Sequence, residues 1–402
     1  MSRTRALGGR SAAALLAAFA LLGTGTAASQ AAPVPQGSAA ETSTARTSAA
    51  QTSERTALQK SLQAFVDTGA TAAVGEVRQD GRALWRGRAG VADLTTGEPV
   101  PAHARFRIGS VTKTFVATVV LQLAGERRLS LDDTVEHLLP GAVPNGGGIT
   151  LRQLLNHSSG LVDYTDAPGI DPQTEEQWRT WLAGPRWHTY QPAELLALAT
   201  ARAPYFPPGQ GWHYSNTNYL LAGMIIEKIT GTTWQQEVDE RVIQPLGLRD
   251  TTVPDVSPRV PGPHAHGYVK LSTGPVDITE FNPSVTSAAG RGISTAADLN
   301  RFVAALVGGE LLEPAQLAEM ERLTPGAPGG GYGMGLMRFD TPCGVFWGHT
   351  GGAPGYETAV AGSADGRRQF SLSVNPYDNT DADGGRRAFT TFLRTAACGP
   401  TG

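Results

Sequence analysis

Residues 108–115 read Ile108-Gly109-Ser110-Val111-Thr112-Lys113-Thr114-Phe115, which places a hydroxyl and an amine three positions apart. Side chains at positions i and i+3 share one face of a helix, so Ser110 and Lys113 can meet if this segment is helical. A serine hydroxyl is a poor nucleophile near neutral pH and needs an adjacent base to take its proton. We therefore expect Lys113 to be that base, provided that its amine is desolvated.

The residues that follow supply a reason for desolvation. From Val111 to Ala124 nearly every position is apolar and Lys113 is the only charged residue, which predicts a buried helix. Burial disfavours the ammonium form and lowers the pKa of a lysine. Ser110, at the start of this helix, also lies where the helix dipole favours developing negative charge.

The pair alone is weak evidence. The chain has 21 serines and 4 lysines among 402 residues, so chance alone gives about 0.2 pairs with this spacing. A buried helix lysine capped by a surface carboxylate is the alternative interpretation, and the rest of the sequence must decide between the two.

The N-terminal part is typical of an exported protein. Residues 1–29 are predicted to be a signal peptide, with a basic start followed by an apolar core that is too short to span a bilayer. Residues 30–56 are rich in Ala, Ser, Thr, Gln and Pro and are predicted to form a flexible linker. Residues 57–400 form the predicted hydrolase domain, and we expect the protein to be secreted, without a membrane anchor.

Composition excludes several kinds of partner. The net charge is −3 and no basic block occurs, which argues against nucleic acid or an anionic membrane surface. The two cysteines, Cys343 and Cys398, are most simply a disulfide in an exported protein, and their spacing does not suit a metal site. His264 and His266 have no third ligand at a suitable spacing, so we expect solvated loop histidines and no metal or other cofactor.

The periodicity predicts a fold assembled from both ends of the chain. Strands are expected near residues 72–78, 83–88, 344–348, 357–361 and 369–374, and helices near 57–66, 111–124, 219–229, 297–307, 314–323 and 386–397. The fold class is therefore α/β (α+β), an antiparallel sheet flanked by helices. The sheet lobe comprises about 57–125 and 290–400, and an inserted helical lobe comprises about 126–289.

Two further motifs follow Ser110 in the chain, Tyr214-Ser215-Asn216 and His349-Thr350-Gly351, the latter on a predicted strand. Together with Ser110-x-x-Lys113 they resemble the three-part signature of the penicillin-recognising serine hydrolases. This superfamily includes D-Ala-D-Ala peptidases, class C β-lactamases, esterases and D-aminopeptidases. The resemblance covers nearly the whole chain after residue 57. It is strongest for the secreted actinomycete D-Ala-D-Ala carboxypeptidases, which share both cysteine positions.

The resemblance implies a role for each motif residue. Ser110 would be acylated, Lys113 would take its proton, and Tyr214 would pass a proton to the leaving group if a neighbouring cation lowers its pKa. The substrate-binding residues implied are Asn216, which would hold the substrate amide, together with His349, Thr350, Gly351 and Gly352. The backbone N–H groups of Ser110 and Gly352 would form the oxyanion hole.

Each of these residues also has a structural interpretation when taken alone. Tyr214 would then be a core tyrosine, Asn216 a turn or cap residue, and the glycines after His349 a turn. His157, in a run similar to the His-Thr-Ser-Gly-Leu segment of the superfamily, is expected to be a capping residue. The order of the three motifs favours the catalytic interpretation.

The sequence departs from the carboxypeptidases where they bind the substrate carboxylate. Gly352 stands in place of a threonine, and Met337 aligns with their arginine, although Arg338 is adjacent and Arg291 is another candidate cation. Val285 replaces an aromatic residue that lines the cleft. A site without its carboxylate clamp would prefer other amide or ester substrates.

We therefore predict a secreted serine hydrolase that forms an acyl-enzyme, a monomer that acts as a D-Ala-D-Ala carboxypeptidase on peptidoglycan peptides and is acylated by β-lactams. The alternatives of the same fold are a class C-type β-lactamase, a D-aminopeptidase and an esterase. From another class, the alternative is a non-catalytic protein that binds β-lactams or wall peptides. Measured rates on a peptide, a cephalosporin, a D-amino acid amide and an ester discriminate among them.

Overall fold

The computed structural model describes residues 39–378 and 380–399. The predicted signal peptide, residues 1–29, lies outside the described residues, as do the start of the predicted linker and the last residue of the predicted domain. Within the described part of the chain, no helix is both long enough and apolar enough to cross a membrane.

The described chain is a mixture of helices and strands. Its α-helices are α1 (Ala39–Asp67), α2 (Thr112–Gly125), α3 (Val135–Leu138), α4 (Leu151–Leu155), α5 (Glu175–Ala183), α6 (Pro192–Thr200), α7 (Asn216–Thr230), α8 (Trp234–Val238), α9 (Ser287–Gly290), α10 (Ala296–Val307), α11 (Pro314–Met320) and α12 (Ala382–Cys398). Its strands are β1 (Ala70–Gln79), β2 (Arg82–Gly90), β3 (Phe106–Arg107), β4 (Tyr268–Leu271), β5 (Gly274–Asp277), β6 (Ile293–Ser294), β7 (Met337–Thr341), β8 (Gly344–Ala353), β9 (Tyr356–Ser363) and β10 (Arg368–Pro376).

A six-stranded sheet joins the two ends of the chain. Its order is β2-β1-β10-β9-β8-β7, and every neighbouring pair is antiparallel. The predicted antiparallel sheet flanked by helices is therefore confirmed. The sequence analysis missed β7 and the short hairpin β4–β5, which lies within the stretch predicted to be helical.

The sheet is covered on both faces because its strands alternate. On β1, Ala73 and Val77 pack under α1 and α12, whereas Ala72 and Val74 face the opposite core. Helix α10 covers that second face and contacts β1, β9 and β10. A strand with apolar side chains on both faces is typical of a sheet in the middle of three layers.

Helix α1 corrects the prediction of a flexible linker over residues 30–56. It begins at Ala39, so residues 39–56 are helical rather than a linker. The segment lacks apolar periodicity before Leu58, which is why the sequence analysis assigned no helix to it. Its alanine, glutamate, glutamine and arginine residues nevertheless have high helix propensity, and Leu58, Leu62 and Phe65 anchor the same helix to the sheet.

Helix α2 lies in the middle of the molecule, and most of its residues are buried, as predicted. The ring of Phe115 stacks on that of Phe302 of α10, with 3.7 Å between ring centroids. At the far side of the sheet, Cys343 in the β7–β8 turn forms a disulfide with Cys398, the last residue of α12. The sheet, α2 and the helices of the insertion thus meet around one end of α2, where Ser110 lies.

Candidate active site

Ser110 lies in a 3₁₀ turn, Gly109–Val111, between β3 and α2. Two glycines let the end of β8 approach this turn. Gly109 has a φ of +49°, and a Cβ atom on Gly351 would lie 2.0 Å from the carbonyl oxygen of Ile108 and 2.9 Å from the Ser110 nitrogen. The backbone of Gly352 lies against Gly109, so the two backbone amides predicted for the oxyanion hole come from segments in contact.

The amine of Lys113 lies at the centre of the site and makes three contacts. Its Nζ is 2.9 Å from Ser110 Oγ, 2.7 Å from Asn216 Oδ1 and 2.8 Å from the carbonyl oxygen of Ala289. Asn216 is the first residue of α7 and Ala289 belongs to α9, so three separate elements converge on this atom.

These three partners define how a neutral Lys113 is oriented. The amide oxygen of Asn216 and the carbonyl oxygen of Ala289 can only accept hydrogen bonds. A neutral amine has two hydrogens, and these two acceptors take both of them. The remaining lone pair is then directed at the Ser110 hydroxyl, which is the arrangement that a general base requires.

The electrostatics of the site favour this neutral form. Burial lowers the pKa of Lys113 to about 7, with the charge of Asp163 acting in the opposite direction. For Lys270, by contrast, the hydrogen bond to Asp378 raises the pKa. At neutral pH a substantial fraction of Lys113 is therefore unprotonated and able to accept the serine proton.

Tyr214 lies close to Lys113, but its pKa is raised rather than lowered. Its ring centroid lies 4.8 Å from Lys113 Nζ. Burial raises the pKa of Tyr214 above its usual range, and the nearby Ser110 hydroxyl offsets only part of that rise. The condition that a neighbouring cation lowers this pKa is not met, because removal from water dominates. The buried hydroxyl makes no well-formed hydrogen bond to a described residue, and the phenol stays protonated at ordinary pH.

Asn216 is engaged on both ends of its amide. Its oxygen accepts from Lys113, and its Nδ2 donates to Asp163 Oδ2 at 2.9 Å and lies 3.5 Å from Thr165 Oγ1. The side chain thus links Lys113 to a carboxylate that the sequence analysis did not single out. That Asn216 also holds the substrate amide stays a prediction.

His349, which the resemblance implies to be a substrate-binding residue, is buried. Burial, reinforced by the charge of Lys113, lowers the pKa of His349 to about 3, so the imidazole is neutral at ordinary pH. Its Nδ1 contacts the carbonyl oxygen of Thr350, and its Nε2 lies 3.1 Å from the hydroxyl of Tyr332. Neither nitrogen is left for a ligand. Thr350 beside it is also buried, with its hydroxyl 3.7 Å from the sulfur of Met337.

A second buried histidine continues the chain of hydrogen bonds through Tyr332. His157 Nδ1 accepts from the backbone N–H of Ser215 and from Asn218 Nδ2, so its other nitrogen carries the proton and donates to the Tyr332 hydroxyl at 3.2 Å. That hydroxyl then donates to His349 Nε2. The predicted capping role of His157 fits these contacts, and the path sets the tautomer of His349.

Replacing Tyr332 with phenylalanine tests this path. Two buried imidazole nitrogens, one on His157 and one on His349, would lose their partner, so the free energy of unfolding is expected to fall by about 1–3 kcal/mol. The value of kcat/KM should fall as well, because His349 lies on β8 beside Ser110. Urea denaturation and steady-state kinetics measure the two effects. The control is Tyr356→Phe, which removes a buried hydroxyl that donates to the Ala265 carbonyl and should spare kcat/KM. An equal loss of activity in both variants would contradict a specific role for Tyr332.

A cavity of about 1100 Å³ opens beside Ser110 and is large enough for a substrate of dipeptide size. Its walls include Met337 at the start of β7, Thr350 and Gly352 near the end of β8, Val285, and two tryptophans of α5. The residues that line it and carry a formal charge are one lysine, Lys270, and four carboxylates: Asp163, Asp171, Glu175 and Asp378.

Two of the four carboxylates have cationic partners. Glu175 is paired with Arg179, at 2.6 Å. Lys270 is itself paired with Asp378, at 2.5 Å. Asp171 is accessible from the cavity, yet the enclosing protein raises its pKa to about 7, and the charges of Asp163 and Asp166 add to this effect. The cavity therefore provides a favourable environment for a cationic group.

Neither arginine considered for carboxylate binding lines this cavity. Arg338 is paired with Asp340, and Arg291 is buried against Trp234 and paired with Asp255. Met337, at the aligned position, does line it. Away from the site, His266 pairs with Asp277 and His264 is bonded to a backbone carbonyl.

Comparisons with known proteins agree with this geometry. The model of the Beta-lactamase family matches residues 58–389. A D-stereospecific amidohydrolase from Streptomyces sp. superposes with a TM-score of 0.76 and 38% identity, covering 86% of this chain and 99% of that one.

Two further proteins, an amidase and a penicillin-binding protein, are also similar to this chain. A D-amino acid amidase from Ochrobactrum anthropi SV3 superposes with a TM-score of 0.72 and 26% identity, covering 85% of this chain and 97% of that one. Penicillin-binding protein 4 of Amycolatopsis lactamdurans is 29% identical over 299 residues, 68% of this chain and 74% of its own length.

Proposed function

The chain belongs to the beta-lactamase family and is a serine hydrolase of that fold, and we propose that its substrates are amides of D-amino acids with a free amino group. Hydrolysis would pass through an ester between the acyl group and Ser110 Oγ. The observation that carries the choice of substrate is that two carboxylates in the walls of the cavity, Asp163 and Asp171, form no ion pair with a described residue, whereas Glu175 and Asp378 do.

Acylation begins with attack of Ser110 Oγ on the carbonyl carbon of the substrate. Lys113 Nζ accepts the serine proton as the new C–O bond forms, and the backbone N–H groups of Ser110 and Gly352 stabilise the oxyanion. The C–N bond then breaks as the leaving amine takes a proton, which the phenol of Tyr214 would donate while Lys113 returns one to it. Water attacks the ester in the second half and regenerates the serine.

Charge distinguishes the candidate substrates. An amide of a D-amino acid carries an ammonium group next to the scissile bond, whereas a D-Ala-D-Ala peptide carries a carboxylate on its C-terminal side. Asp163 and Asp171 attract the first and repel the second, and neither Arg291 nor Arg338 lines the cavity to bind a carboxylate. The activities of the two similar proteins that hydrolyse amides, the amidohydrolase and the amidase, support the same choice.

A D-Ala-D-Ala carboxypeptidase that is acylated by β-lactams is the second candidate, and the penicillin-binding relative supports it. That activity, a D-aminopeptidase and an esterase all use the same acyl-enzyme. A purely binding role is at odds with a buried lysine directed at Ser110. Export, which would bring the enzyme to substrates outside the cell, is proposed from the predicted signal peptide, residues 1–29, alone.

The substrate assignment is tested with one preparation and matched pairs of compounds. D-Alanine amide should have a kcat/KM at least about 10-fold above those of its L-enantiomer, of its N-acetyl derivative and of an acyl-D-Ala-D-Ala peptide. N-acetylation removes the ammonium group and keeps the scissile bond, so it isolates the effect of charge. A chromogenic cephalosporin and a short-chain ester complete the panel. A faster reaction on the acyl-D-Ala-D-Ala peptide, with no effect of N-acetylation on the amide, would favour the carboxypeptidase instead.

A further inference from the structure

Asp163 is a buried carboxylate beside the site that none of the three motifs contains. It lies in the loop after α4, six residues beyond His157, where it caps the 3₁₀ turn Tyr164–Asp166. Its Oδ1 accepts from the backbone N–H of Thr165 at 3.0 Å, and its Oδ2 accepts from Asn216 Nδ2 at 2.9 Å. Burial raises the pKa of Asp163, and these two hydrogen bonds together with the charge of Lys113 act against that rise.

The contact with Asn216 decides which way the amide of that residue faces. A carboxylate accepts hydrogen bonds and cannot donate them, so the NH₂ group of Asn216 must face Asp163. The amide oxygen is thereby turned toward Lys113 Nζ, 2.7 Å away. With the amide reversed, an NH₂ group would face the amine, and the lysine lone pair would be drawn toward it and away from Ser110.

We propose that Asp163 is a positioning residue for the acylation step, acting through Asn216 to hold the lone pair of Lys113 on the Ser110 hydroxyl. The role concerns proton transfer from Ser110 and is therefore independent of which acyl substrate the enzyme prefers. Asp163 also supplies negative charge near Lys113. The other titratable groups near the amine are His157 and His349, both with lowered pKa values, and the phenols of Tyr214 and Tyr219, both with raised ones.

The first test is Asp163→Asn, which keeps the shape of the side chain and removes one acceptor. A single amide oxygen cannot serve both the Thr165 N–H and Asn216 Nδ2, so the Asn216 amide loses its fixed orientation. We expect kcat for a rapidly bound substrate to fall by about 100-fold, the size of a general-base contribution, with KM changed much less. Loss of the carboxylate charge also stabilises the neutral amine, so the acidic limb of the kcat/KM profile should move to lower pH.

The second test exchanges the two side chains in Asp163→Asn/Asn216→Asp. The amide at position 163 then donates to a carboxylate at position 216, whose other oxygen accepts from Lys113. Activity should recover at least about 10-fold over Asp163→Asn, and the acidic limb should lie at higher pH than in the wild type because the carboxylate now contacts the lysine directly. Should Asp163→Asn fail to fold, the exchanged variant, which restores the donor–acceptor pair, still gives a decision.

The matched control is Asp166→Asn, which removes the same charge from the same turn. Asp166 is half-exposed, accepts from the Tyr205 hydroxyl and lies near Arg202, without a contact to Asn216. Its kcat and pH profile should stay within about twofold of the wild type. The proposal is overturned if Asp163→Asn keeps both kcat and the acidic limb. It is equally overturned if the exchanged variant folds but shows no recovery at any pH.

Discussion

Replacing Ser110 with alanine is expected to lower kcat by about 10⁵-fold or more and to abolish covalent acylation of the protein. The reason is that Ser110 Oγ is the hydroxyl within 2.9 Å of the buried amine of Lys113 and also opens onto the cavity. Without it no acyl-enzyme can form, and direct attack by water lacks an activated nucleophile. Intact-protein mass spectrometry after exposure to a penicillin or an activated ester would measure the adduct, and amide hydrolysis would measure turnover.

The matched control for this variant is Ser53→Ala, an exposed serine on α1. It should be acylated and turn over like the wild type. Thermal unfolding of both variants distinguishes loss of the nucleophile from loss of the fold. A covalent adduct on Ser110→Ala with unchanged stoichiometry would show that another side chain is the nucleophile.

The fold was largely predictable because its main elements have strong local signals. Strands β1, β8, β9 and β10 alternate or are bounded by glycine, and α2 is apolar nearly throughout. Helix α1 was missed over residues 39–56 because helix propensity alone, without an apolar stripe, is a weak indicator in a segment rich in Ser and Thr. Strand β7 was missed because it is short and its residues, including Arg338 and Asp340, are partly exposed at the edge of the sheet.

The candidate site was predictable only as far as its motifs extend. Ser110, Lys113, Tyr214 and His349 carry their own spacing or order along the chain, and the structure brings them together. Asp163 and Tyr332 carry no such signal, because a single Asp or Tyr in a loop has many structural explanations. Their importance comes from contacts with residues 53 and 17 positions away, respectively, which tertiary structure alone reveals.

The side-chain electrostatics were the least predictable part. The sequence analysis correctly expected that burial would lower the pKa of Lys113, since the apolar character of α2 is visible along the chain. It could not foresee that the hydroxyl of Tyr214 and the side chain of His349 are also buried. For a phenol burial raises the pKa and for an imidazole it lowers it, so both residues are neutral across the ordinary pH range.

Replacing Lys113 with methionine is expected to lower kcat/KM by about 10³-fold or more, because the serine proton then has no acceptor. The apolar side chain suits the buried site, so the variant should fold. Lys113→Arg should lose a similar amount of activity, since a guanidinium keeps the positive charge and does not release its proton at ordinary pH. The control is Lys228→Met, an exposed lysine on α7, which should retain the wild-type rate.

The pH dependence of these variants separates a lysine base from a tyrosine base. With the pKa of Lys113 at about 7, the neutral amine is lost as the pH falls, so the wild-type kcat/KM should decline below about pH 7. That limb should be absent from the residual activity of Lys113→Met.

Tyr214 as the base would instead require a phenolate. Burial makes the phenolate form only at strongly alkaline pH, so activity would still be rising well above pH 9. An acidic limb near pH 7 that persists in Lys113→Met would mean that a different group accepts the serine proton. Both histidines near the amine are neutral at that pH, whereas Asp171 in the cavity wall also has a pKa of about 7. The profile is therefore measured with an uncharged ester, on which a limb near pH 7 reports the ionisation of Lys113.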